Sequence, residues 1–517
     1  MPPVTHRSLL VAAQRALSSS QLDWLRQGHH ARHAADFHEQ VARLLSAEGR
    51  AHLDEARQQR SYSALEIPLV ARQLAYLAAQ ASLLGMREAN AQLMAASIPL
   101  GHTQELPKQL ITQLSRDSAD EAPGEPRDRA LAAALEPMAL RWVEARGRAA
   151  SRFVEQLEAP LSVPESAPEA RGHLAESNVR EARALESRAG STSALAAPEG
   201  AGTAAVPSEA AHWLDATDDA ARELTRWLTR SAVKRGNVTW PVLFSALRAT
   251  QYDGLARPAR RLYRLAEGTR RLGFERELTK RVRAESSVTL FAPSACVVPL
   301  SVPDDIRVVQ PSIEFGVLSD LVATQSTGEA LALALVSPAD SELTRLPCAA
   351  GVSAAIGGLF QQLRAEPRYL TRMDELSPDV SERLARHAAI FVLLRTRLDA
   401  ALWLAEQPRV RSDRERLEHL TQAAERALGC VVPPGIAALA FFASPLEGRA
   451  FEASACSLAL HAALRERFDD DWYANPRVNE VLRGACARGN LLSVRELCAE
   501  LAASPQLGIA RALEILD

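Results

Sequence analysis

The 517-residue chain predicts a mainly α-helical protein carrying one small β-sheet. Three observations lead there. Apolar residues recur at three- and four-residue spacing over most of the length, the period of one helix face. β-Branched residues concentrate in a single stretch, 287–310. Breakers at Pro338, Pro367, Pro378 and Pro433-Pro434-Gly435 cut the helical pattern into lengths ordinary for globular proteins.

Residues 1–159 form a first, helical region. Phe37, Val41, Leu44 and Leu45 fall on one helix face, and Val70, Leu74 and Leu77 repeat the spacing. Ser63 followed by Glu66 has the form of a capping box. Ser118–Arg127 reads as a loop. Residues 160–208 are dominated by Pro, Ala, Gly, Ser and Glu and almost lack large apolar side chains, so they cannot bury enough surface to offset chain entropy and read as a disordered insert or linker. Helical signal resumes in the third region, 209–517, and holds through Lys280, with Trp227, Leu243, Leu247 and Leu262 as expected core. Val288, Leu290, Val297, Val298, Leu300, Ile306, Val308 and Val309 then predict two or three strands, punctuated by Pro293, Pro299 and Pro303. From Val317 onward the pattern is helical again.

Charge and cysteine usage narrow the function classes. Sixty basic and 63 acidic side chains leave a net charge of -3, so no global field draws the chain to nucleic acid or anionic lipid. Only Lys108, Lys234 and Lys280 are lysines, so an arginine-rich patch carries less weight here than it would elsewhere. Arg257–Arg283 holds ten basic residues against three acidic ones, and it reads as amphipathic helix whose arginines pair with Glu267, Glu275 and Glu277. Six cysteines without a C-x-x-C pair predict reduced, buried thiols. The first twenty residues lack an apolar signal core and no apolar run reaches the roughly 20 residues a bilayer needs, so a cytoplasmic protein without a membrane partner is expected.

Three segments, in order, resemble the M3 (thimet oligopeptidase-like) metallopeptidases. They are Leu290–Pro303 with the following strand and Pro311–Gly316; the helix Leu318–Leu335, whose Gly328 and Ala330-Leu331 are similar to residues framing the family's second zinc histidine; and Phe468–Arg477 with its aromatic-Asn-Pro-Arg pattern. The resemblance implies a two-lobed helical body with a central cleft, the small sheet on its rim near 287–310, and a zinc-site helix near 318–335.

The same resemblance places the family's first zinc histidine on Gln325, its catalytic glutamate on Ser326, its second histidine on Glu329 and its third ligand on or beside Ala350. There is no histidine between His212 and His387, so a shift of register supplies none. An amide is a poor zinc ligand, a hydroxyl is no carboxylate base and a methyl has no donor atom. The stretch matched to the family's oxyanion-stabilising His and Tyr, Gly448–Ser457, contains neither. These are degenerate former-site positions, with no catalytic residue, no metal and no cofactor expected.

Other patterns carry less. His29, His33 and Asp36 share helical spacing without further metal-site signature, and Asp469-Asp470-Asp471 reads as a helix cap. The expected function is that of a pseudopeptidase binding an extended peptide or a protein partner, with no nucleic acid. Two alternatives stay open: a metallopeptidase with rebuilt ligands such as Glu314, Asp320 and Glu329, and a helical interaction protein that makes no use of a cleft.

Overall fold

A computed structural model describes residues 6–27, 33–58, 70, 73–81, 98–100, 103–105, 139–141, 143–144, 205–230, 238–252, 255, 266–287, 296–311, 316–339, 345, 351–405, 412–443 and 449–514. It is mainly helical with a small mixed three-stranded sheet, as the sequence predicts.

The chain begins with α1 (His6–Gln27), α2 (His33–Leu45) and α3 (Ala47–Gln58). Their apolar stripes close a local core in which Leu10 is buried together with Phe37, Val41, Leu74 and Leu77, the last four being positions that helical spacing selected. A short antiparallel pair, β1 (Ile98–Leu100) and β2 (Thr103–Glu105), stands in a region expected to be helical but for the loop at Ser118–Arg127. The expected cap at Ser63 and loop at Ser118–Arg127 lie outside the described residues.

Next come α4 (Ala205–Thr229), which starts a few residues before the expected boundary at 209, α5 (Trp240–Arg248) and α6 (Glu275–Arg281). The sheet follows: β3 (Val282–Ser287), β4 (Cys296–Ser301) and β5 (Asp305–Pro311), in the order β3-β5-β4. β3 runs parallel to β5, with Val282 opposite Ile306, and β4 runs antiparallel, with Val297 opposite Val308. β3 begins five residues before the expected strand region. Its Arg283, Glu285, Ser286 and Ser287 lack the β-branched signature, and the strand exists because β5 offers it a ladder.

The period-2 alternation of β5 fixes what lies on either side of the sheet. Ile306 and Val308 face Ala330, Ala334 and Val336, whereas Val309 and Val298 pack on Leu22 of α1. The sheet is thus sandwiched between α1 and α7 (Gly316–Ala334), and the latter is the helix that sequence analysis singled out.

The remainder is helical: α8 (Val352–Gln362), α9 (Pro367–Met373), α10 (Pro378–Ala405), α11 (Asp413–Leu428), α12 (Pro434–Ala443), α13 (Arg449–Phe468), α14 (Pro476–Ala487), α15 (Val494–Glu500) and α16 (Pro505–Leu513). Pro367, Pro378 and Pro434 stand at first helical positions, where a missing N–H costs nothing. Ser412 with Glu415 and Ser493 with Glu496 form capping boxes on α11 and α15. One large core joins α4, α5, α7, α8, α10, α11 and α13 to the C-terminal helices, around Trp213, Phe274, Phe360, Phe451 and Trp472.

Two sequence expectations need correction. Cys456 and Cys498 are disulfide-bonded, tying α13 to α15 with Cα atoms 6.3 Å apart, within the range a disulfide spans. Cys430 and Cys486 do fit the expected pattern of buried free thiols, and burial pushes each up to about 12. The Asp469-Asp470-Asp471 run does not cap a helix with its side chains. Asp470 accepts from Arg368 and Arg465, Asp471 accepts from Arg372, and Asn475 caps α14 instead.

Candidate functional site

α7 and α8 pack closely against each other, and glycine explains why. A β-carbon on Gly357 of α8 would fall 2.7 Å from the carbonyl oxygen of Gln325 and 3.1 Å from Cβ of Glu329, so only glycine lets the two backbones meet there. Its neighbour Gly358 does the same on the other side, where a β-carbon would fall 2.6 Å from Cβ of Ser457 on α13. α8 is therefore the middle layer of three, pressed against α7 through one glycine and against α13 through the next.

Gln325 and Glu329, one turn apart on α7, are half-buried and face this junction, while Ser326 is buried. Gln361 of α8 donates through Nε2 to Gln325 Oε1 and to the Leu321 carbonyl, both at 3.3 Å. Glu329 retains a little accessible surface, but its carboxyl is crowded enough that burial pushes it up to about 7. No basic side chain among the described residues forms an ion pair with it. One turn upstream of Thr324, the Asp320 carboxylate is spent on a buried ion triad. Arg364, from the 3-10 turn Leu363–Ala365, pairs with Asp320 and donates to Asp374 at 2.6 Å.

Gln325, Ser326 and Glu329 sit together on α7. Ala350 and Glu314 lie outside the described residues. The residues that face Gln325 and Glu329 from α8 are Gly357 and Gln361, which sequence analysis did not single out; Gly357-Gly358, an uncommon pair inside an apolar helix, was the signal available. His461 was also missed. It follows the scanned stretch by one helical turn on α13, is fully buried beside Trp472, and brings Nε2 to 3.4 Å from Glu366 Oε1. Burial, reinforced by Arg511 and Arg465, holds its pKa well below the usual imidazole value, so it is neutral. Of the proposed metal triplet His29, His33 and Asp36, only the Asp36 side chain is described, and it is exposed.

Gln325 and Gln361 bring amides bonded to each other and Glu329 a carboxyl that burial pushes up to about 7, and among the described residues no imidazole or thiol is placed with them to hold a metal ion. Among the described residues no group of three or more His, Cys, Asp or Glu is placed to hold a metal ion. Nor, among them, is any helix long and apolar enough to cross a membrane. Of the pairings expected within the basic segment, Arg270 and Arg271 hold Glu267, whereas Glu277 is held by Arg483 of α14 and Arg281 donates to the Ala334 carbonyl.

No family model and no curated protein sequence matches the chain. Twelve chains of solved structures match it in fold, among them two that carry peptidase names. PZ peptidase A with inhibitor 2 matches at a TM-score of 0.47 and 10% identity, covering 98% of this chain and 95% of that one. A structure solved under the name oligoendopeptidase F matches at a TM-score of 0.46 and 11% identity, covering 93% and 82% respectively.

Proposed function

We propose that the chain is a metallopeptidase-like pseudoenzyme, which binds an extended peptide or a protein partner and does not cut it. The observation that carries this reading is the chemistry of the α7–α8 junction. Where zinc hydrolysis needs imidazoles, a carboxylate base and an open coordination position, the chain presents two mutually bonded amides, a buried hydroxyl and a single protonatable carboxyl. Engagement of Asp320 by Arg364 weighs against a ligand set rebuilt from Glu314, Asp320 and Glu329. The small sheet supports the peptide-binding half of the reading, because β3 and β4 are both edge strands of a three-stranded sheet, the arrangement to which an extended segment adds. In this reading the part of 160–208 that precedes α4 is a tether between the N-terminal helices and the body that holds α7.

Metal analysis of the native chain, paired with hydrolysis of fluorogenic peptide pools, tests it. Zinc far below one atom per chain and no turnover above buffer are expected, together with saturable binding of members of the pool. Stoichiometric zinc that disappears in Glu329→Gln, or turnover blocked by a chelator, would overturn the proposal.

A further inference from the structure

A cavity of about 240 Å³ lies between α5 and α10, with Leu318 at the start of α7 on its wall and neither Gln325 nor Glu329 in its lining. Its walls are made by the stacked rings of Trp240 and Phe244, 5.5 Å apart, and by Leu394, Leu398 and Leu402 of α10. These α10 residues recur at helical spacing, so one stripe of the helix faces the space. Water gains little in such a space: a dry apolar cavity of about 150 Å³ already holds one benzene ring. The polar groups sit together on the same stripe. Asp399 is almost wholly buried, with 4% of its side chain exposed, and already accepts from Ser454 Oγ at 3.0 Å and from Arg395 Nε at 3.3 Å. Arg395 is 44% exposed and bonds Asp399 through Nε, and its two terminal nitrogens make no ion pair among the described residues.

We infer that this cavity binds a small amphipathic monocarboxylate, an acyl chain of about eight carbons or a single aromatic ring, whose carboxylate is taken by Arg395. The apolar body enters between the α5 rings and the α10 leucines, where it exchanges poorly bonded water for dispersion contacts. The head group stays at the rim. Asp399 faces no solvent, so it orients the guanidinium through Nε and leaves the outward nitrogens for an acceptor. An acceptor head group is therefore favoured over a cationic one. This inference does not rest on the pseudoenzyme reading, and either can fail without the other.

Titration calorimetry of the full chain with octanoate, and with 1-octanol as the uncharged comparator, tests the site. Octanoate should bind at one site per chain and at least about tenfold more tightly than octanol, as a charge-assisted contact requires. Arg395→Met should remove that advantage and leave octanol binding unchanged. Leu398→Trp, which fills the cavity, should abolish both while far-UV circular dichroism stays that of the native chain. No octanoate binding to the native chain, equal affinity for the two ligands, or octanoate binding undiminished in Arg395→Met would each overturn the inference. The exposed position of Arg395 keeps the test decisive even where the Leu398 variant fails to fold.

Discussion

Gly357 rests against the main chain of Gln325, so close that a methyl group there would stand 2.7 Å from the Gln325 carbonyl oxygen. The obstacle is backbone, which cannot rotate aside as a side chain does. Gly357→Ala is therefore expected to push α8 from α7 and to cost about 2 kcal/mol, in the range of overpacked cores. Gly484, exposed on α14 with nothing within 4 Å of its virtual β-carbon, gives the opposite outcome. Gly484→Ala should gain about 0.5–1 kcal/mol through helix propensity alone. Urea unfolding of both variants checks the pair, and equal effects would show that the junction is looser than the geometry states.

Glu329 makes folding stability depend on pH in the direction unusual for a carboxylate. Burial raises its pKa from the ordinary 4.5 to about 7, so the folded chain holds the proton more tightly than the unfolded one. The neutral form is compatible with the fold below the unfolded value. As pH rises through 4.5 the unfolded state gains by ionising first, and stability falls until about pH 7, where the folded state ionises as well. The loss is on the order of 2 kcal/mol, allowing for the surface that the carboxyl retains. In Glu329→Gln the pH dependence of unfolding between 4.5 and 7 should flatten by that amount, measured by urea titration at several pH values. An unchanged profile would mean that the carboxyl is solvated.

The fold was largely legible because its elements follow rules that act locally. Phe37, Val41 and Leu44 were chosen by spacing and are buried, and Pro367, Pro378 and Pro434 begin helices because they cannot continue them. What escaped notice depends on partners distant in sequence. β3 has polar composition and owes its conformation to β5, and the Cys456–Cys498 pair is set by how α15 docks on α13. Asp470 and Asp471 look like caps in sequence, but arginines on α9 and α13 reach them first. At the junction of α7 and α8, sequence located Gln325, Ser326 and Glu329 on one helix. Their counterpart on α8, Gly357, was not legible, because a glycine inside an apolar run announces close approach without saying to what.

Arg364 lies buried between two carboxylates, Asp320 on α7 and Asp374 just after α9. Removing the cation leaves two anions facing each other out of water, an arrangement that no nearby rotamer relieves. Arg364→Met should cost about 3–5 kcal/mol. Part of that loss should be recovered in the triple variant Asp320→Asn, Arg364→Met, Asp374→Asn, which removes the buried charges as well. Thermal unfolding of the single and triple variants measures the difference. A triple variant no more stable than the single one would place the loss in packing rather than in charge.

Arg397 is fully buried as well and acts as a strut among three helices. From α10 it pairs with Asp218 and donates to the Leu214 carbonyl and Thr217 of α4, and to the Ala427 and Arg426 carbonyls at the end of α11. The last-turn carbonyls of a helix have no partner of their own, so the guanidinium caps α11 from inside the core as well as neutralising Asp218. Lysine carries the charge but not the planar fork that serves several acceptors at once. Arg397→Lys is thus expected to lose about 2 kcal/mol and Arg397→Met about 3–5 kcal/mol, with amide exchange accelerating first in the last turn of α11. Asp218→Asn leaves Arg397 without its counter-ion and weakens the bond that Asp218 accepts from Arg426 at 2.8 Å, so it should also destabilise, by about 2 kcal/mol. Hydrogen exchange resolved by peptide checks the location. Exchange spread evenly over the body, or confined to α4, would show that α11 is held by its packing and not by Arg397.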